Sequence, residues 1–198
     1  MGPSSYRRST GSPRGEARRR ELLALVTEDL AVNGLVDFSL RRAARAAGTT
    51  HKVLLYHFDG VEDLLRQAVF RLRARRIAGV QDLPPGETLA ERIEAVWQVL
   101  TAEEPGLARV LDEAMGLAMY DPARHAALAR EASQQYLPVL TAMCPVEWTA
   151  RRKTEVAELV LATLRGFLLE RLVSGDDEGV GAGLEALLRA LEREERAG

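Results

Sequence analysis

Apolar positions recur at helical rather than strand spacing along nearly the whole chain. Leu22, Leu25, Val26 and Leu30 fall three or four residues apart, which predicts a helix over 16–32 that stops at Asn33-Gly34. Leu40, Ala43, Ala44 and Ala47 form one face of a shorter second helix. Ser39 stands at its N-cap and Gly48 just past its end. Thr49 or Thr50 caps a third helix that runs to His57 or Phe58. Beyond the Asp59-Gly60 turn, Leu64, Leu65, Ala68 and Leu72 set the register of a fourth helix over 61–77. Pro84-Pro85-Gly86 interrupts the pattern. Five further helical stretches follow, over 88–102, 105–120, 122–143 (with Pro138 as a kink), 146–174 and 178–196. No stretch alternates as a strand would, so the expected fold class is all-α.

Charge divides this helical chain in two. Residues 1–76 hold fifteen Lys and Arg against eight Asp and Glu, whereas residues 77–198 hold twelve against twenty-one. The whole-chain net charge of −2 hides that split. A basic head on an acidic body suits a head that meets a polyanion, although a merely solvated asymmetry has the same composition. The expected organisation is a flexible basic tail over 1–14, a head over 15–60 and a helical body over 61–198. The helix over 61–77 links head to body.

Segment 39–58 carries the sharpest chemistry. Two short helices around a Gly-containing turn outline a helix-turn-helix, whose second helix enters the major groove. Ala43, Ala44, Ala46 and Ala47 keep the first helix thin where the second crosses it, and Val53, Leu54 and Phe58 anchor the second inward. Thr50, His51 and Lys52 are the candidates for base edges. Ser39, Arg41, Arg42, Lys52 and Tyr56 are the candidates for phosphates, and Thr49 and His57 complete the set.

In the body, Trp97, Met115, Met119, Tyr136 and Phe167 are candidate ligand contacts, since aromatic and Met side chains suit adaptable apolar pockets. An ordinary core would use the same residues. Val160, Leu164, Phe167 and Leu168, with Leu184 and Leu188 from the last helix, form stripes suited to a dimer face or to packing within one chain. One cysteine, Cys144, and three scattered histidines offer no metal-ligand spacing and no nucleophile–base grouping. No cofactor, metal or enzymatic role is therefore expected. No apolar run approaches the ~20 residues a membrane span needs, and the first residues lack the apolar core of a secretory signal. A cytoplasmic protein without membrane contact is expected.

The stretch FSLRRAARAAGTTHKVLLYHFDGVEDLL, 38–65, resembles the signature of the TetR family of transcriptional regulators. The match lies at Ser39, Ala43, Ala46-Ala47-Gly48, Thr50, Leu54, His57-Phe58 and Leu64-Leu65. The segments TLRGFLLERLVSGD and GLEALLRALE are similar to that family's last two helices. The resemblance implies a homodimer on a palindromic double-stranded DNA operator, acting as a repressor released by a small-molecule effector. The chain departs from the pattern at Lys52, where the family often has Gly, at Leu55, where it has Tyr, and at Val61, where it has Lys. These departures motivate an alternative: a helical small-molecule-binding or protein-interaction module that has lost specific DNA binding.

Overall fold

The computed structural model describes residues 12–84, 86–102 and 105–197. Most of the basic tail, including Arg7 and Arg8, lies outside the described residues. Nine helices and no strand occur among the described residues: α1 (Pro13–Asn33), α2 (Leu40–Ala46), α3 (His51–His57), α4 (Val61–Gln81), α5 (Leu89–Ala102), α6 (Pro105–Tyr120), α7 (Pro122–Met143), α8 (Ala150–Ser174) and α9 (Asp177–Arg196). No helix of the described residues is long and apolar enough to cross a membrane.

Local chemistry sets the boundaries. Helix α1 starts at Pro13 rather than at Glu16, because the Ser12 hydroxyl accepts the Gly15 N–H and Pro13 fits the first turn, where no N–H is needed. Helix α8 starts at Ala150 rather than at Val146, because Thr149 caps it through the Arg152 N–H and the chain turns over Pro145–Trp148. Helix α4 runs one turn beyond its expected end, with Val80 buried.

Two apolar clusters hold the chain together. One joins Leu22, Val26 and Leu30 of α1, the alanines of α2, Leu54 and Phe58, the N-terminal half of α4, and Val110, Leu111 and Ala114 of α6. The other joins α5, α8 and α9 with the C-terminal ends of α4 and α7, around Ile93, Trp97, Val160, Leu164, Leu184 and Leu191. Helices α4, α6 and α7 lie between the clusters. Arg66 of α4 bridges to Glu131 of α7 at 2.9 Å, and Glu62 pairs with Arg124 on the same two helices.

Candidate functional site

The head presents an exposed face on a short, capped helix. After α2, Gly48 takes φ +57°, and the Thr49 N–H reaches back to the Ala44 carbonyl at 2.9 Å. A Cβ at Gly48 would meet nothing within 4 Å, so glycine serves the backbone conformation there and not the space. Thr50 then caps α3 through the Val53 N–H. Leu54 and Phe58 are buried, and His51, Lys52, Leu55 and Tyr56 stand exposed at i, i+1, i+4 and i+5, one outward face. Arg41 and Arg45 are exposed one turn apart on α2. Ser39 and Thr50 use their hydroxyls as caps, and Thr49 is half-buried.

Two predicted contacts have other work. The Arg42 guanidinium pairs with the Asp29 carboxylate at 2.8 Å and donates to the Val36, Gly34 and Asp29 carbonyls at 2.7, 2.8 and 3.4 Å. It braces the α1–α2 link, including Asp37 in the left-handed region at φ +57°. The His57 ring is half-buried, and its carbonyl accepts from Arg19 of α1 at 3.2 Å. Burial, then the charges of Arg19 and Arg18, lower its proton affinity.

The body holds a cavity of about 270 Å³ between α4, α5, α6, α7 and α8. Met115, Met119 and Tyr136 line it, as do Leu100 and Leu111. Met119, 81% exposed, and Leu169 stand at its edge, where it meets solvent. Trp97 and Phe167 do not line it. They pack edge to face, 6.1 Å between centroids, and the Phe167 ring fills the space over Gly183 of α9. Both are core wedges joining α5, α8 and α9. Periodicity places such residues inward without saying which inward space they fill.

The walls also carry four charged residues that apolar periodicity overlooks: Arg73 and Arg76 of α4, Asp112 of α6 and Arg165 of α8. A signal existed, since the apolar stripe Leu65, Val69, Leu72 runs on into Arg76 and Val80 at the same spacing. Arg73 is only 1% exposed; its Nη2 donates to the Leu128 carbonyl at 2.7 Å. Arg165 lies 5.8 Å from the Tyr136 ring centroid and reaches Ser133 Oγ at 3.5 Å. Burial lowers the proton affinity of both guanidiniums and raises that of the Asp112 carboxyl.

Glu113, next to Asp112, points away from the cavity. Its Oε2 accepts the Leu35 N–H at 2.6 Å, joining α6 to the link after α1. Gly106, at the other end of α6, packs against the Ala31 carbonyl so closely that a Cβ would collide with it.

No family model matches the sequence, and no curated protein does. Solved structures do match. A protein described as a transcriptional regulator of Streptomyces coelicolor is 26% identical, with TM-score 0.69 over 88% of this chain and 98% of its own. A TetR-family regulator from Rhodococcus is 18% identical, with TM-score 0.69 over 89% and 97%. The multidrug binding protein EbrR, solved with ethidium, is 19% identical, with TM-score 0.71 over 88% and 98%. The chain has the TetR-family fold.

Within this TetR-family fold the predicted dimer stripe is used inside the chain. Val160, Leu164 and Leu184 are buried in its own core, and Phe167, Leu168 and Leu188 pack against it. The outer face of α8 instead shows Leu159, Ala162, Gly166, Leu169 and Val173 at alternating spacings of three and four, all exposed. That is the spacing of an a/d stripe.

Proposed function

We propose that the chain is a ligand-responsive transcriptional regulator: a homodimeric repressor that binds a palindromic double-stranded DNA operator and is released by a small molecule in the body cavity. The carrying observation is that cavity and reading head share helices. Helix α4 packs Leu64, Leu65 and Ala68 into the head core and, two turns on, gives Arg73, Ile77 and Val80 to the cavity. Helix α6 gives Leu111, Asp112 and Met115 to the cavity while Glu113 holds the Leu35 amide in the head. A ligand that prefers one setting of α4 and α6 therefore also selects one setting of the head, to the extent of its differential affinity.

His51, Lys52, Thr50 and Tyr56 on α3 are the proposed groove residues, and Arg41, Arg45 and Ser39 on α2 the proposed phosphate contacts. The outer stripe of α8, with Leu159 and Leu169 about half exposed, is the proposed dimer seam. Support for dimerisation comes from this apolar stripe, which is left without a partner within the described chain.

The test is binding to DNA from just upstream of the protein's own gene, titrated with salt and competitor DNA. Specific binding that weakens steeply with salt is expected. The double variant His51→Ala/Lys52→Ala should lose specific binding yet keep its size and melting behaviour. Undiminished specific binding by that variant removes α3 as the reading helix. Absence of specific binding to any sequence in a random-library selection favours a helical binding module that has lost DNA recognition.

A further inference from the structure

The charge inside the cavity says what kind of molecule it holds. Three guanidinium groups and one carboxylate line a space whose remaining walls are apolar, among them Val80, Leu100, Leu140 and Leu161. Asp112 acts on Arg76 and Arg165 through space, and no hydrogen bond joins it to Arg73 or Arg165 among the described residues. Arg73 feels the Glu131 carboxylate through space and is opposed by the positive charges of Arg165 and Arg76. Nη1 of Arg73, Nη2 of Arg165 and the Tyr136 hydroxyl are buried without a hydrogen-bond partner among the described residues. The nearby Glu131 is paired with Arg66. Water in the cavity satisfies N–H groups but supplies no countercharge, and like charges in an apolar enclosure repel strongly. Guanidinium forks match carboxylate geometry, where two N–H groups can meet two oxygens.

We infer that the cavity is built for an amphipathic organic anion, its carboxylate held by Arg73 and Arg165 beside the Tyr136 hydroxyl and its hydrocarbon part lying along the aliphatic walls. This rests on the reading of the cavity as the effector site. Entry is past Met119, which stands exposed at the cavity edge. A cation of the same size would meet Arg73, Arg76 and Arg165 at close range. A neutral alcohol could accept from the buried N–H groups of Arg73 and Arg165 but would bring no charge to strengthen the bond.

The experiment is calorimetric titration of the full-length protein, without DNA, with decanoate, decanol and decyltrimethylammonium. Decanoate is expected to bind about tenfold to a hundredfold more tightly than decanol, the range a charge-assisted hydrogen bond gives, and the cation weakest of the three. Arg165→Gln, a half-buried position, should bring decanoate down to the affinity of decanol. Arg73→Met should do the same where circular dichroism shows it folded. Decanol or the cation binding as tightly as decanoate, decanoate not binding, or undiminished decanoate binding by Arg165→Gln each overturns the inference. Because ligand binding is read without DNA, failure here leaves operator binding intact, and failure of operator binding leaves this result standing.

Discussion

Removing the Arg42 side chain separates a brace from a phosphate contact. Arg42→Ala takes away four hydrogen bonds, to the Asp29 carboxylate and to the carbonyls of Val36, Gly34 and Asp29, at 2.7–3.4 Å. It also leaves Asp29, whose side chain is 17% exposed, without its cation and with the Asn33 amide as its remaining donor. Breaking a fully buried pair costs roughly 3–5 kcal/mol, and exposed pairs about 0–1. A pair this nearly buried, discounted for its residual solvent, should cost about 2–3 kcal/mol. For a chain of this length each kcal/mol lowers the melting temperature by roughly 2–4 °C, so a drop of about 4–12 °C is expected. The assay is thermal unfolding by circular dichroism at fixed protein concentration, with Arg41→Ala as the exposed control. The control should melt within about 0.5 kcal/mol of the parent while losing about one unit of salt slope in DNA binding. Should Arg42→Ala melt with the parent and lose that unit of salt slope instead, the brace is wrong and Arg42 serves the phosphate backbone.

Three further outcomes follow from the geometry. Leu169→Asp, on the outer face of α8, should give monomers by sedimentation and weaken operator binding without unfolding the chain; a persistent dimer removes that face as the seam. Glu113→Ala strands the Leu35 N–H, whose hydrogen exchange should quicken roughly tenfold to a hundredfold, in line with the ~1–3 kcal/mol cost of an orphaned buried donor; unchanged protection would show that the head does not depend on α6. His57 has its proton affinity lowered by burial and by Arg19 and Arg18 from an ordinary value of 6.5, so its contribution to stability is present above that value and lost as pH falls through the lower folded one. The urea midpoint should therefore fall less between pH 7.5 and 5.5 in His57→Gln than in the parent, and parallel declines would refute this.

The head was the legible part of the sequence. Ala43, Ala44 and Ala47 mark a thin face, Gly48 a left-handed turn and Thr50 a cap, and each signal is local, so each survives folding. Periodicity places Arg42 off the apolar face of α2 without showing its acceptors, since Asp29, Gly34 and Val36 lie six to thirteen residues back and are assembled only by the turn after α1. The body was legible as helices and not as contacts. Periodicity puts Phe167 and Val160 inward, but whether inward means cavity, chain core or partner depends on how α5, α8 and α9 meet. The arginines of the cavity eluded a reading that sought apolar pocket walls, although Arg76 continues an apolar stripe.

The apolar cluster under the reading helix does not end where the helix-turn-helix ends. It takes in Leu64, Leu65, Ala68, Val69 and Leu72 of α4 and reaches Val110, Leu111 and Ala114 of α6. A fragment cut at residue 60 would strip the α4 and α6 side from that cluster. The helix-turn-helix is thus not an interchangeable cartridge. A chimera that moves its specificity onto another regulator must bring the α4 surface along and recreate the notch where Gly106 admits the Ala31 carbonyl. New operator preference is more readily acquired by changing His51, Lys52, Leu55 and Tyr56 in place, four solvent-facing positions that the core does not constrain.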